Sequence, residues 1–293
     1  MEQALLSGAA VGSAYVLMTL GFALALGIAD IVNAAHGAFV VGGMYIVLEL
    51  ESAGIPIYVA VVAAAALLAI AALPLYYYLI ASAKAEVGHG AQLVYTLLLL
   101  SGLTALYQLI FGADIRTLNT SYGNVHLFGG TLSVVQLVSI LLAVLAGAAL
   151  YFASRYTYLG KMCHVAGSYP LGARSIGVPI TRVYTSIFVL SAALAGLAGG
   201  LVVTFQSVEP TLGLDFLVVA IVVALAARMS IVMTVILGFL YGVVQAALNY
   251  AMPGVIAAMA PLTMFILVIV AQRRFSGNVF QSLAGIRRRG AAA

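Results

Sequence analysis

The chain has 293 residues, of which 65% are hydrophobic and 7% charged; its mean hydropathy is +1.18 and its net charge +4. Soluble domains carry about 25% charged residues and keep much of their surface wet, so this composition excludes a water-soluble fold, and its apolar content excludes disorder. Basic residues without interleaved aromatic or Gly-rich motifs also argue against nucleic-acid binding, which leaves an all-α polytopic membrane protein.

A helix needs about 20 mostly apolar residues to cross the hydrocarbon layer. Nine stretches meet or approach that length: 4–27, 34–50, 57–81, 91–111, 133–153, 182–204, 215–228, 232–251 and 257–272. The second, seventh and ninth are short, so eight to nine spans are expected. The first begins Met1-Glu2-Gln3, without the basic lead of a signal peptide, and reads as a retained span. Strands are not expected within the membrane, because runs such as Ala60 to Leu73 do not alternate.

Charge sets the expected orientation. If the loop holding Lys84 faces the cytoplasm, so do Arg155, Lys161, Arg174, Arg182, Arg228, Arg273, Arg274, Arg287, Arg288 and Arg289, leaving Arg116 alone opposite. Eleven of the twelve basic residues then lie inside, as the positive-inside rule requires. Glu2, Glu49, Glu51, Asp114, Glu209 and Asp215 fall outside, as does the N-terminus, and the C-terminus is cytoplasmic. The chain divides into a membrane domain, 1–275, with an inner loop at about 155–181, and a basic cytoplasmic tail, 276–293. Arginines in the tail attract anionic membrane lipid.

Small residues recur at helical spacing: Gly8 with Gly12, and Gly196 with Gly200. Such faces let helices approach closely where lipid offers no hydrophobic drive.

Polar groups inside this apolar chain mark where a solute could pass. Asp30, Asn33 and His36, followed by Gly37, are spaced by three, so a helix would bring them near one face. They read either as a broken helix lining a passage or as an interfacial turn with a capping side chain. Ser101, Thr104 and Gln108 form a mild stripe on the fourth span, and Gln245 and Asn249 stand four apart on the eighth. Both sets could line a route or bond neighbouring helices. The inner stretch 160–178 reads as a short amphipathic helix broken by Pro170 and Gly172, suited to docking or to lying on lipid. No hydrolase, zinc-protease or nucleotide-binding signature occurs, and Cys163 stands alone. No enzyme activity, cofactor or metal is expected.

The stretch Gly27-Ile28-Ala29-Asp30-Ile31-Val32-Asn33-Ala34-Ala35-His36-Gly37, then Gly42-Gly43-Met44-Tyr45, resembles the signature opening the second span of high-affinity branched-chain amino acid ABC transporter permeases. Tyr158-Leu159-Gly160-Lys161, Ala166, Ala173-Arg174, Gly177-Val178 and Arg182-Val183 resemble that family's cytoplasmic loop, and Ala192 to Gly200 its small-residue helix. The resemblance implies a permease subunit in a bacterial inner membrane, carrying branched-chain amino acids or a related small solute. It also implies a second permease subunit, identical or related, two cytoplasmic ATPases and an extracytoplasmic solute-binding protein. Asp30, Asn33, His36 and Gly37, with Gln108, Gln245 and Asn249, would then lie near the pathway. Gly167, Ser168, Tyr169, Pro170, Ala173, Arg174 and Gly177 would belong to the segment that couples to the ATPases. Two departures stand out: the coupling loop has no Glu-Ala-Ala element, and the family's Gly-rich turn before the eighth span reads Ala226-Ala227-Arg228-Met229-Ser230 here. A stand-alone channel or secondary carrier for a neutral solute such as urea or an amide is the competing reading.

Overall fold

A computed structural model describes residues 2–81, 89–118, 123–127, 129–251 and 266. The described residues form α1 (Glu2–Ala29), α2 (His36–Ser52), α3 (Ile57–Leu75), a π-helical turn (Tyr76–Ala81), α4 (His89–Phe111), strands β1 (Asn124–Leu127) and β2 (Gly130–Ser133), α5 (Val134–Tyr156), α6 (Tyr158–Ser168), α7 (Pro170–Ser175), α8 (Ile180–Val202), α9 (Leu212–Ala226) and α10 (Ile231–Ala251). Among the described residues, six helices are long and apolar enough to cross a membrane: α1, α3 with its π turn, α4, α5, α8 and α10. The expected ninth span at 257–272 and the tail from 276 lie outside the described residues, Ile266 excepted.

The π turn has a local cause. Pro74 sits inside α3, where it supplies no N–H and its ring crowds the preceding turn, and the helix widens just beyond it.

Helices α1 and α8 are the buried centre, and α2, α3, α9 and α10 surround them. Close approach depends on glycine. Gly8 and Gly12 of α1 lie against Val243 and Phe239 of α10, whose own Gly238 meets Val16. A Cβ on Gly43 would come 2.7 Å from the Gly196 carbonyl, and one on Gly196 2.8 Å from the Ala64 carbonyl. Both expected small-residue faces are therefore used for helix contact.

The two ends of the bundle differ in charge. One end gathers Arg155, Lys161, Arg174, Arg182 and Arg228 around α6, α7 and the C-terminus of α1. At the other, Arg116 pairs with Glu49 at 3.1 Å and its backbone bridges to Val208. The β1–β2 hairpin belongs to this second end, where Gln3 exchanges hydrogen bonds with the Thr131 backbone at 2.8 and 3.0 Å. All but Ser133 of the hairpin lies within the polar stretch 112–132, which is rich in turn-forming residues. The hairpin leads into a capping box in which Ser133 and Gln136 cap α5.

Helices α2 and α9 explain why two predicted spans are short. The His36 ring bonds to the Met18 carbonyl, so α2 begins level with Met18, about 16 Å back along α1 from Ala29. From there α2 runs to the Arg116 end. Gly213, at the start of α9, lies with its missing Cβ 3.2 Å from the Ala38 backbone nitrogen, so α9 begins at the same depth. It runs the other way, to Met229 beside Gly27 at the end of α1. The connectors 30–35 and 203–211 bring the chain from opposite ends to this common level. Asp215, expected outside with the other acids, consequently stands in the middle of the fold.

The turn between α9 and α10 keeps a left-handed geometry without glycine. Arg228 and Met229 have φ of 52° and 57°, and the N–H groups of both reach back to carbonyls of α9. Met229 fills the space beside Gly27.

Gly196→Leu is expected to lower the folded fraction several-fold, since forcing a side chain into a filled helix contact costs at least about 1–3 kcal/mol. The monodisperse peak in detergent chromatography measures it.

Candidate functional site

Helix α1 stops at Ala29 because Asp30 turns left-handed, with φ of 54°, and Ile31 N–H bonds to the Ala25 carbonyl at 3.1 Å. Asp is among the few residues that tolerate this conformation. The expected single helical face of Asp30, Asn33 and His36 does not form, because 30–35 is irregular. Asp30 is exposed at the basic end, whereas Asn33 and His36 are 1% and 0% exposed.

His36 ties three helices together. Its Nε2–H donates to the Met18 carbonyl of α1 at 2.8 Å, which fixes the neutral tautomer, and Ser191 of α8 places its hydroxyl 3.4 Å from Nδ1. Phe22 meets the ring edge-on at 5.8 Å. Gly37, next in sequence, lets α2 press on the Gly213 carbonyl. In this protomer both residues are joints between helices.

Asn33 is different. Its backbone carbonyl accepts the His36 N–H at 3.1 Å, but neither amide atom of its buried side chain has a partner among the described residues. Gln92 of α4 is equally buried and unpartnered. One turn on, the Thr96 hydroxyl donates to the Val32 carbonyl at 3.1 Å, and one turn further Leu100 touches Gly213. The stripe Gln92, Thr96, Leu100 is thus the buried face of α4 and lies along the helix break. The stripe expected on this span, Ser101, Thr104 and Gln108, is not part of that face. Ser101 and Gln108 are exposed, and Thr104 bonds back to the Leu100 carbonyl at 2.9 Å. The i, i+4, i+8 spacing of Gln92, Thr96 and Leu100 was available in the sequence.

Gln245 lies in the α1–α10 seam beside Tyr15, with its Oε1 buried and without a partner among the described residues, and Asn249 is exposed one turn on. Gln108 belongs to a different flank, since α4 packs on α2 and the π turn while α10 packs on α1 and α5. The structure does not bring Gln108 together with Gln245 and Asn249.

The segment expected to couple is two helices, α6 and α7, joined at Tyr169. Pro170 opens α7 as its first residue, where a missing N–H costs nothing. Gly172 does not break the helix; it lies inside α7 with the Tyr169 ring stacked over it. Gly177 ends α7 left-handed, with its N–H on the Arg174 carbonyl and that of Val178 on the Ala173 carbonyl. Gly167 sits on the Ile28 backbone, Ala166 receives the Tyr184 hydroxyl at 3.1 Å, and Ala173 is fully buried. Ser168 closes α6, and Arg174 is exposed. On the outer surface Tyr169, Leu171 and Ile176 are 65%, 70% and 72% exposed. Burial raises the Cys163 thiol above its ordinary value, which makes it a weak nucleophile.

The family model described as "Branched-chain amino acid transport system / permease component" matches residues 4–271. The chain belongs to this permease family. It is 26% identical over 226 residues to the high-affinity branched-chain amino acid transport system permease protein LivH of Escherichia coli K12, covering 72% of this chain and 73% of that one. It is 27% identical over 262 residues to a probable LivH permease of Methanocaldococcus jannaschii, covering 85% and 82%. Among solved structures, PsaBC from Streptococcus pneumoniae in complex with Fab shares the fold, with a TM-score of 0.52 at 14% identity over 91% of this chain and 90% of that one. The permease is thus a multi-pass helical membrane protein, and its relatives are transport proteins.

His36→Leu is expected to destabilise the permease by about 1–3 kcal/mol, because the helix joint loses both ring bonds. A fall in the thermal midpoint in detergent measures it, and an unchanged midpoint would show that the joint carries no stability.

Proposed function

We propose that this chain is the permease subunit of an ABC importer that carries branched-chain amino acids or a close relative across a bacterial inner membrane. Family membership over 4–271 supports the permease role. The observation that carries the mechanism is the α6–α7 pair. Its inner surface is fixed to α1 and α8 by Gly167, Ala166 and Ala173, while Tyr169, Leu171 and Ile176 face outward. Exposed large apolar side chains at the basic end of a membrane bundle call for a protein partner. Two cytoplasmic ATPases provide it in this reading, one for each of two permease subunits, identical or related. A push on α7 then reaches α1 through Gly167 as a rigid-body movement.

In this reading the basic end is cytoplasmic and the end with Arg116 and the hairpin receives the extracytoplasmic binding protein. Nine spans follow if α2 and α9, each with its connector, count as crossings and a last span follows α10. The N-terminus is then outside and the C-terminus inside. The pathway runs past the level where α2 and α9 begin. Asn33, whose amide has no partner among the described residues, Gln245 and Asn249 are its polar candidates on this subunit, with Asp30 nearer its inner end; Gln108, on a different flank, falls outside it. His36 and Gly37 act there by holding the helix starts in place.

Leu171→Asp with Ile176→Asp is expected to leave the subunit inserted and folded but to cut ATPase co-purification and solute uptake about tenfold or more, as losing central apolar contacts of an interface does. Unchanged co-purification would remove this segment from the coupling role. Uptake by the isolated subunit in liposomes, without ATPases, would favour a channel or carrier.

A further inference from the structure

The charged side chains among the described residues stand at span ends, in loops or on the α6–α7 pair, with one exception. Asp215 lies in the first turn of α9, two residues past the Gly213 contact, and so at mid-depth. Its side chain is exposed, and it makes no ion pair or hydrogen bond among the described residues. It is within electrostatic reach of Tyr15 on α1 and Tyr241 on α10, both halfway along long spans. The Tyr241 hydroxyl and, beside Tyr15, the Gln245 Oε1 are buried without partners among the described residues. Next to Asp215 on the open side of α9, Leu214 and Val218 are exposed and apolar.

A carboxylate in the middle of a membrane is costly against lipid and is kept where it faces water or a bound solute. A first-turn Asp also suits the helix dipole, which alone would account for an acid at this sequence position. It does not account for an open carboxylate at mid-depth within electrostatic reach of a buried hydroxyl, that of Tyr241, which has no partner among the described residues. We propose that Asp215 is the recognition carboxylate of the pathway, binding the ammonium group of a zwitterionic amino acid whose apolar side chain lies along Leu214 and Val218. This rests on the importer reading and narrows it, because a solute with net negative charge is repelled at the same place.

The test uses the complete complex with its ATPases and binding protein in proteoliposomes, with leucine as probe. Asp215→Asn is expected to lower ATP-driven leucine uptake about tenfold or more, the loss typical of a hydrogen bond to a charged group, with subunit co-purification unchanged. Asp215→Glu is expected to recover most of the rate. In a Cys163→Ala background, Asp215→Cys is expected to react with a water-soluble methanethiosulfonate reagent, and leucine with the binding protein to slow that reaction. Wild-type uptake by Asp215→Asn, or no labelling at position 215, would overturn the assignment and leave the importer reading standing. If the wild-type complex takes up no leucine while position 215 is labelled and protected by another ammonium solute, the recognition role holds and the branched-chain substrate fails.

Discussion

The fold turns on one backbone contact: α2 and α9 start against each other in the middle of the bundle, with Gly37 on the Gly213 carbonyl and Gly213 on the Ala38 nitrogen. A side chain at Gly37 would push the two starts apart, whereas Gly213 has room for one with only a small adjustment of its neighbours. Because each helix begins there, its first N–H finds a carbonyl of the connector before it, His36 that of Asn33 and Leu212 that of Glu209. The two macrodipoles bring their positive ends to one level, an arrangement also met in transporters with discontinuous helices. Two connectors, from opposite ends of the bundle, are the cost of reaching it.

The rest of the protomer holds that contact in place. His36 ties the start of α2 to Met18 and Ser191, and the glycine faces of α1, α8 and α10 let the central helices come close enough for these bonds to form. At the other end of the lever, α6 and α7 are seated on the C-terminus of α1 and on α8. α1 therefore joins the exposed surface of α6 and α7 to the level where α2 and α9 begin. The Arg228–Met229 turn shows how firmly the frame is set. The chain adopts a doubled left-handed turn there with side chains in place, and Met229 uses the strained position to fill the gap beside Gly27.

Much of this was legible in the residues. Apolar length located every helix of the described spans, and the shortness of the second and seventh was the trace of helices that begin at mid-depth. The GxxxG pairs on α1 and α8 marked real contact faces. Pro170 was correctly placed at a helix junction. What the sequence could not show is where a helix lies once it has formed. Asp215 reads as an outer-loop acid only if the seventh span starts at the surface. The three-residue spacing of Asp30, Asn33 and His36 shares a face only if that stretch is helical, and the left-handed Asp30 prevents it. Gln92 and Thr96 were hidden by their position near the start of a span, although their spacing with Leu100 gave the buried face of α4 directly.

The meeting of the two helix starts can be measured in native membranes. With Cys163→Ala as background, Ala38→Cys combined with Gly213→Cys is expected to give an internal disulfide on mild oxidation, detected as a linked peptide by mass spectrometry. Arg116→Cys with Val208→Cys, paired across a backbone bridge at one end of the bundle, serves as the positive control. A linked control with no link between positions 38 and 213 would mean that α2 and α9 do not begin together, and the account built on that contact would be wrong.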